Sequence, residues 1–243
     1  MRFLIFMFTS FILMSAQTVL ATSENFDLAN EAYSKGQYAK AVELYEKLIV
    51  DNGHSASVYF NLANSYAQLQ ENGKAVLNYR RGLLLDPGNS DLIKNYDYFT
   101  KEAGLFLDEQ PTLEKFIYTL TINQWSGLTL FCLVCLSLTV VFWRKISAGS
   151  LARGVGNVLL FSFLTAGSAF ATATLYKDWQ KHVVISDVKL LVSPFDNSES
   201  KGLIKAGRLA TIGKEYKNYV HIETETGQSG WVNKDNMQAI QVE

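Results

Sequence analysis

Residues 127–143, GLTLFCLVCLSLTVVFW, and residues 155–176, VGNVLLFSFLTAGSAFATATLY, decide how this chain is built. Neither run carries a charge, and no Asp or Glu occurs between Ser126 and Tyr176. A helix needs about 20 apolar residues to cross a hydrocarbon core of roughly 30 Å. The second run reaches that length, and the first does so when Leu120–Trp125 extend it. Trp125, Trp143, Tyr176 and Trp179 stand at the ends, where amphipathic rings anchor a span among headgroups. We therefore expect spans at 125–143 and 155–176 and a connecting loop at 144–154. Arg144, Lys145 and Arg153 put that loop in the cytoplasm by the positive-inside rule. The competing reading is a buried helical hairpin of a soluble protein. Two uncharged runs of this length in succession weigh against it.

Outward from the spans, the net charge of -1 hides an uneven split. Thr22–Gln110 holds 13 acids and 8 bases, and Pro111–Lys181 holds 2 acids and 6 bases. The basic excess lies at the membrane, so no extramembrane part has the basic face that nucleic acid requires. Cys132 and Cys135 form a C-x-x-C pair in mid-span. A redox or metal role would place thiolates in hydrocarbon without a second ligand pair, so they read as two small apolar side chains. The remaining parts must fold without disulfides.

Residues 1–21 read as a secretory signal, with Arg2, an apolar Phe3–Met14 core and Val19-Leu20-Ala21 at the cleavage-determining positions. The chain beyond Ala21 is then exported, which agrees with a cytoplasmic turn between the spans. Both flanking domains are expected on the periplasmic side of the bacterial inner membrane.

From Thr22 to Asn89 the chain repeats every 34 residues. Phe26, Leu28, Ala29 and Asn30 recur as Phe60, Leu62, Ala63 and Asn64, and Ala41 and Tyr45 recur as Ala75 and Tyr79. Gly-containing breaks at Lys35-Gly36-Gln37 and Asn72-Gly73 divide each copy into two helices. The period, with small residues where paired helices touch, resembles the tetratricopeptide repeat. Departures are Gly53 in place of a closing Pro, and Asn25 and Tyr59 where a Trp is common. Asp91–Lys101, with Leu92, Ile93, Tyr96 and Phe99 on one face, serves as a capping helix of a domain at 22–103.

Such stacks have an inner groove that takes an extended peptide or a partner helix. The resemblance implies that Phe26, Asn30 and Tyr33 face it with Phe60 and Asn64, and that Lys94 and Lys101 fall on the same side. An amide both donates to and accepts from an extended chain, and helix packing does not call for one at Asn30 or Asn64. A solvated or locally packed face is the alternative. Residues 104–124 form a linker and an interfacial helix, with Phe116, Ile117 and Leu120 on the bilayer surface.

Residues 182–243 change character. Val183–Ile185, Val188–Val192, Arg208–Ile212, Tyr219–Ile222 and Gly230–Val232 are short β-branched runs separated by turn residues, which predicts five strands in a partly open barrel. The Gly230-Trp231-Val232 turn and the YVHIETETGQSGWV stretch resemble the bacterial SH3-like domain. Tyr216, Tyr219 and Trp231 either form an aromatic ligand surface or join the core, with Trp231 read first as core.

No constellation supports chemistry. His54, His182 and His221 lack metal-ligand spacing, and there is no phosphate loop or nucleophile elbow. No enzyme activity, cofactor or metal is expected. The whole is a multidomain membrane protein: an all-α repeat domain, a transmembrane helical hairpin and a small all-β SH3-like barrel. That order resembles the BatE proteins of the bacterial aerotolerance (Bat) operon. It implies a scaffold of an envelope complex, with Bat partners carrying von Willebrand factor A domains. A peptidoglycan-peptide binder or sensor and an envelope assembly chaperone are the alternatives.

Overall fold

The computed structural model describes residues 24–105, 112–142 and 151–241. The expected signal at 1–21, the turn residues Arg144 and Lys145, Trp143 and the side chain of Arg153 lie outside the described residues.

Among the described residues up to 105 there are five helices: α1 (24–34), α2 (Tyr38–Asn52), α3 (Ala56–Gln68), α4 (Asn72–Leu85) and α5 (Ser90–Glu102). Gly36 and Gly53 follow α1 and α2 with φ of 73° and 82°, positive values that glycine adopts without a Cβ clash. Asn89 caps α5 by accepting from the Leu92 N–H at 3.0 Å. Ala29, Ala41, Ala63 and Ala75 are wholly buried, so neighbouring helix backbones approach closely. Tyr45, Leu62, Leu77 and Tyr79 fill the space between them. The repeat periodicity thus sets a layered helical stack.

A short helix α6 (Thr112–Ile117) leads into α7 (Ile122–Val141), and α8 (Leu151–Trp179) runs back beside it. Thr121 and Gln124 form a capping box at the start of α7. Thr129 donates to Ser168 across the α7–α8 contact at 2.9 Å, and Cys132 is buried. Two helices, Ile122–Val141 and Gly154–Trp179, are long and apolar enough to cross a membrane. Trp125 departs from its expected place among headgroups. Its ring is 5% exposed, and its Nε1–H donates to the Ile117 carbonyl at 2.9 Å, because α6 folds over the start of α7.

Beyond α8 lies a curled antiparallel sheet, a half-barrel of order β3-β2-β6-β5-β4-β1-β7. Its strands are β1 (His182–Val184), β2 (Val188–Leu191), β3 (Ser200–Ile204), β4 (Leu209–Tyr216), β5 (Tyr219–Thr224), β6 (Ser229–Asn233) and β7 (Met237–Ala239). There are seven strands where five were expected. Lys201-Gly202 reads as a turn but lies in a strand that pairs with β2, and the three-residue β7 is a strand because β1 pairs with it. Val184, Leu190, Ile204, Ala210, Val220, Ile222 and Val232 fill the inner face.

The sheet is not a separate bead on the chain. Val183, Leu209 and Ile240 join the buried cluster of the repeat helices, beside Val76 and Leu105. Two glycines permit the approach. A Cβ on Gly73 of α4 would lie 2.2 Å from the Ile185 carbonyl oxygen, and one on Gly207 would lie 2.5 Å from Leu105. Arg81 donates to the Ala239 carbonyl at 3.0 Å across the same contact. Repeat helices and sheet therefore share one core.

Candidate functional site

The sheet docks on α4, and among the described residues no element covers the face formed by α1, α3 and α5. That face carries three rows at the repeat spacing: Phe26, Phe60, Lys94; then Asn30, Asn64, Tyr98; then Tyr33, Ala67, Lys101. On α5 the opposite side, Leu92, Tyr96 and Thr100, is buried, which turns Lys94, Tyr98 and Lys101 to solvent. Tyr98 is 66% exposed and was not foreseen from the sequence. Adding 34 to Asn64 would have found it.

Asn30 and Asn64 differ from expectation. Each is half-buried, and its Oδ1 accepts from the tyrosine hydroxyl 15 residues on: Tyr45 to Asn30 at 2.6 Å, Tyr79 to Asn64 at 2.5 Å. Asn61 donates a second bond to Asn30 at 2.9 Å. Packing between the helices does require an amide here, because a buried hydroxyl needs an acceptor. Phe26 and Phe60 lie over the same two tyrosines, with ring centroids at 6.1 and 6.4 Å. Each copy thus holds a Phe–Asn–Tyr unit that braces its two helices. Burial pushes the Tyr45 hydroxyl up to about 12 and raises that of Tyr79. Tyr33 packs edge-on against Tyr38 at 5.3 Å.

A second surface lies on the outer face of the sheet. Trp231 is half-exposed there instead of sitting in the core. The inward place next to it belongs to Gly230, where a Cβ would meet Leu190 and the Leu191 carbonyl at 2.7 Å. Strand alternation then turns Trp231 outward. It stands opposite His221, with their rings 5.3 Å apart, and Tyr216 stands opposite Tyr219. The loop between β2 and β3 brings Phe195 to 5.8 Å from Tyr216, and Asp196 accepts from the Tyr219 hydroxyl, which raises its pKa. Tyr216, Tyr219 and Trp231 therefore come together on one face, with His221, Phe195 and Asp196 unforeseen. Among the described residues no group of three or more His, Cys, Asp and Glu is placed to hold a metal ion.

A third cluster was invisible in the sequence. Arg80 of α4 donates to Asp178 of α8 at 3.0 Å, and both side chains are buried. Tyr118 and Lys181 complete the shell around Asp178, the latter at 2.5 Å. Burial raises the Tyr118 pKa, and the Asp178 charge adds to the rise. The cluster ties the repeat stack to the end of the second apolar helix.

Stacked helix pairs with an uncovered face define a protein-interaction scaffold. The family model of the tetratricopeptide repeat matches residues 56–89, which span α3, α4 and the turn to Asn89. No curated protein and no solved structure matches the chain.

Proposed function

We propose that this protein is a non-enzymatic, membrane-anchored adaptor of a bacterial envelope complex. Its repeat groove takes an extended segment of a partner protein. The observation that carries the reading is the uncovered α1–α3–α5 face, with Phe26 and Phe60 at one row and the free-standing Tyr98, Lys94 and Lys101 at the end of the stack. Asn30 and Asn64 use their carbonyl oxygens internally, so amide hydrogens and the lysines are the donors offered to a partner.

The two long apolar helices support insertion in the inner membrane. The core shared by the parts before and after them supports placing both on one side, and Arg144, Lys145 and Arg153 favour the periplasmic side. The curled seven-stranded sheet supports the bacterial SH3-like assignment. The domain order, which resembles that of BatE proteins, points to an aerotolerance (Bat) assembly with von Willebrand factor A partners.

A second reading has its own support. The outer face with Phe195, Tyr216, Tyr219 and Trp231 suits a peptidoglycan peptide, since exposed aromatic rings supply apolar contact and Asp196 an acceptor. Photoreactive side chains at Tyr98 and at Phe195 in living cells separate the two. A discrete envelope-protein adduct at Tyr98 supports the adaptor. Wall-derived adducts at Phe195 with none at Tyr98 favour the binder. No specific adduct at either position refutes both.

A further inference from the structure

We infer that α6 is a third lipid-contacting element, with Leu113 and Phe116 immersed in the leaflet nearest the repeats. The inference rests on the membrane reading of α7 and α8. The sequence alone suggests a helix lying on the bilayer surface with Ile117 facing lipid. The structure places it differently: Ile117 is buried in a cluster with Trp125, Ala171 and Leu175. Ala171 and Leu175 lie 8 and 4 residues before Trp179, the end of the second apolar stretch. At 1.5 Å per residue they sit roughly 12 and 6 Å inside that end along the helix axis. The side chain packed on them shares that depth, which matches the roughly 5–10 Å immersion of an interfacial helix.

What α6 shows to its surroundings fits the same placement. Leu113 and Phe116 are 60% and 61% exposed, although the Phe116 ring also meets the Trp125 ring of α7 edge-on at 5.8 Å. Glu114 and the exposed Lys115 fall on the opposite side of the helical turn, as a helix with one face in lipid and one in water requires. The immersed helix is also locked to the repeat stack. The hydroxyl of Tyr118, one residue past α6, bonds to Asp178, the partner of Arg80. The Thr119 carbonyl lies 3.6 Å from the place of a Cβ on Gly88, in the turn before α5. Lipid contact at α6 thereby holds the repeat stack directly on the bilayer.

The test uses the full chain in liposomes, with Cys132→Ala and Cys135→Ala as background. A fluorophore is attached at Leu113→Cys, Phe116→Cys, Lys115→Cys, Leu164→Cys or Lys101→Cys. Phosphatidylcholine brominated on its acyl chains and aqueous iodide serve as the two quenchers. Labels at 113 and 116 should lose fluorescence in brominated lipid as the mid-helix label at 164 does. Labels at 115 and 101 should respond to iodide instead. Leu113→Cys, which lacks the Phe116 ring contact with Trp125, guards against local disruption. Quenching at 164 without quenching at 113 and 116 overturns the inference, whether iodide reaches those labels or a protein surface shields them. No lipid quenching at 164 overturns the membrane reading itself.

Discussion

Arg80 and Asp178, 98 residues apart in sequence, form a buried ion pair at 3.0 Å between the fourth repeat helix and the end of the second apolar helix. Removing one partner of such a pair leaves an uncompensated buried charge, which costs about 3–5 kcal/mol. Asp178 keeps Tyr118 and Lys181 when Arg80 is lost, whereas Arg80 loses the one carboxylate it pairs with among the described residues when Asp178 is lost. Asp178→Leu is therefore expected to lower the melting temperature of the detergent-solubilised protein more than Arg80→Met. The double variant should recover part of the loss. Additive losses in that cycle would show that the pair is not coupled.

The paired amides give an opposite expectation to the one drawn from sequence. Asn64→Ala orphans the Tyr79 hydroxyl, which is buried, at a cost of about 1–3 kcal/mol. Adding Tyr79→Phe should restore most of that loss, because no hydroxyl then remains unpaired. Thermal melts followed by circular dichroism check both steps. Partner binding is better probed at Tyr98 and Lys94, whose side chains are exposed.

The shared core predicts that the sheet and the repeats part when α4 is thickened. Gly73→Ala brings a Cβ to 2.2 Å from the Ile185 carbonyl oxygen, a backbone contact that cannot rotate away. The expected cost is about 1–3 kcal/mol, with faster protease cleavage after Trp179. Gly127→Ala, where a Cβ meets nothing within 4 Å, should leave both readouts unchanged. Ala63→Leu, at a wholly buried helix crossing, should also destabilise by about 1–3 kcal/mol.

Alkaline pH should unfold the repeat stack. Burial raises the Tyr45 pKa from 10.0 to about 12, and those of Tyr59, Tyr66 and Tyr79 rise as well. Below pH 10 the protonated hydroxyl is present in folded and unfolded chains alike. Between pH 10 and about 12 the unfolded chain ionises first, so stability falls as pH rises through that window. Loss of helical circular dichroism should therefore fall in that window and carry with it a step in tyrosinate absorbance. Loss of helix without such a step would contradict the burial assignment.

Much of the architecture was legible in short-range pattern. Apolar length marked α7 and α8, the 34-residue spacing marked the repeat helices and their alanine contacts, and β-branched runs marked five of seven strands. The misreadings have local causes. Asn30 and Asn64 looked free because their tyrosine partners lie on the adjoining helix. Lys201-Gly202 looked like a turn because its pairing partner, not its composition, makes it a strand. The groove residues were traceable through the repeat, Tyr98 included at 34 residues past Asn64, although its helix carries Asp97 where the earlier copies have Ala29 and Ala63.

By itself the sequence determined the helical repeat, the two long apolar helices and the strand-rich end. Each depends on a period or a hydropathy that neighbouring residues carry among themselves. Only the tertiary structure decided that Trp231 faces outward, that Trp125 and Ile117 pack inside, and that the sheet shares its core with α4. It alone joined Arg80 to Asp178. The physical reason is that these outcomes depend on which surfaces meet after 100 or so residues of intervening chain. The shape of a glycine gap, or the place of one buried charge, then outweighs every local preference.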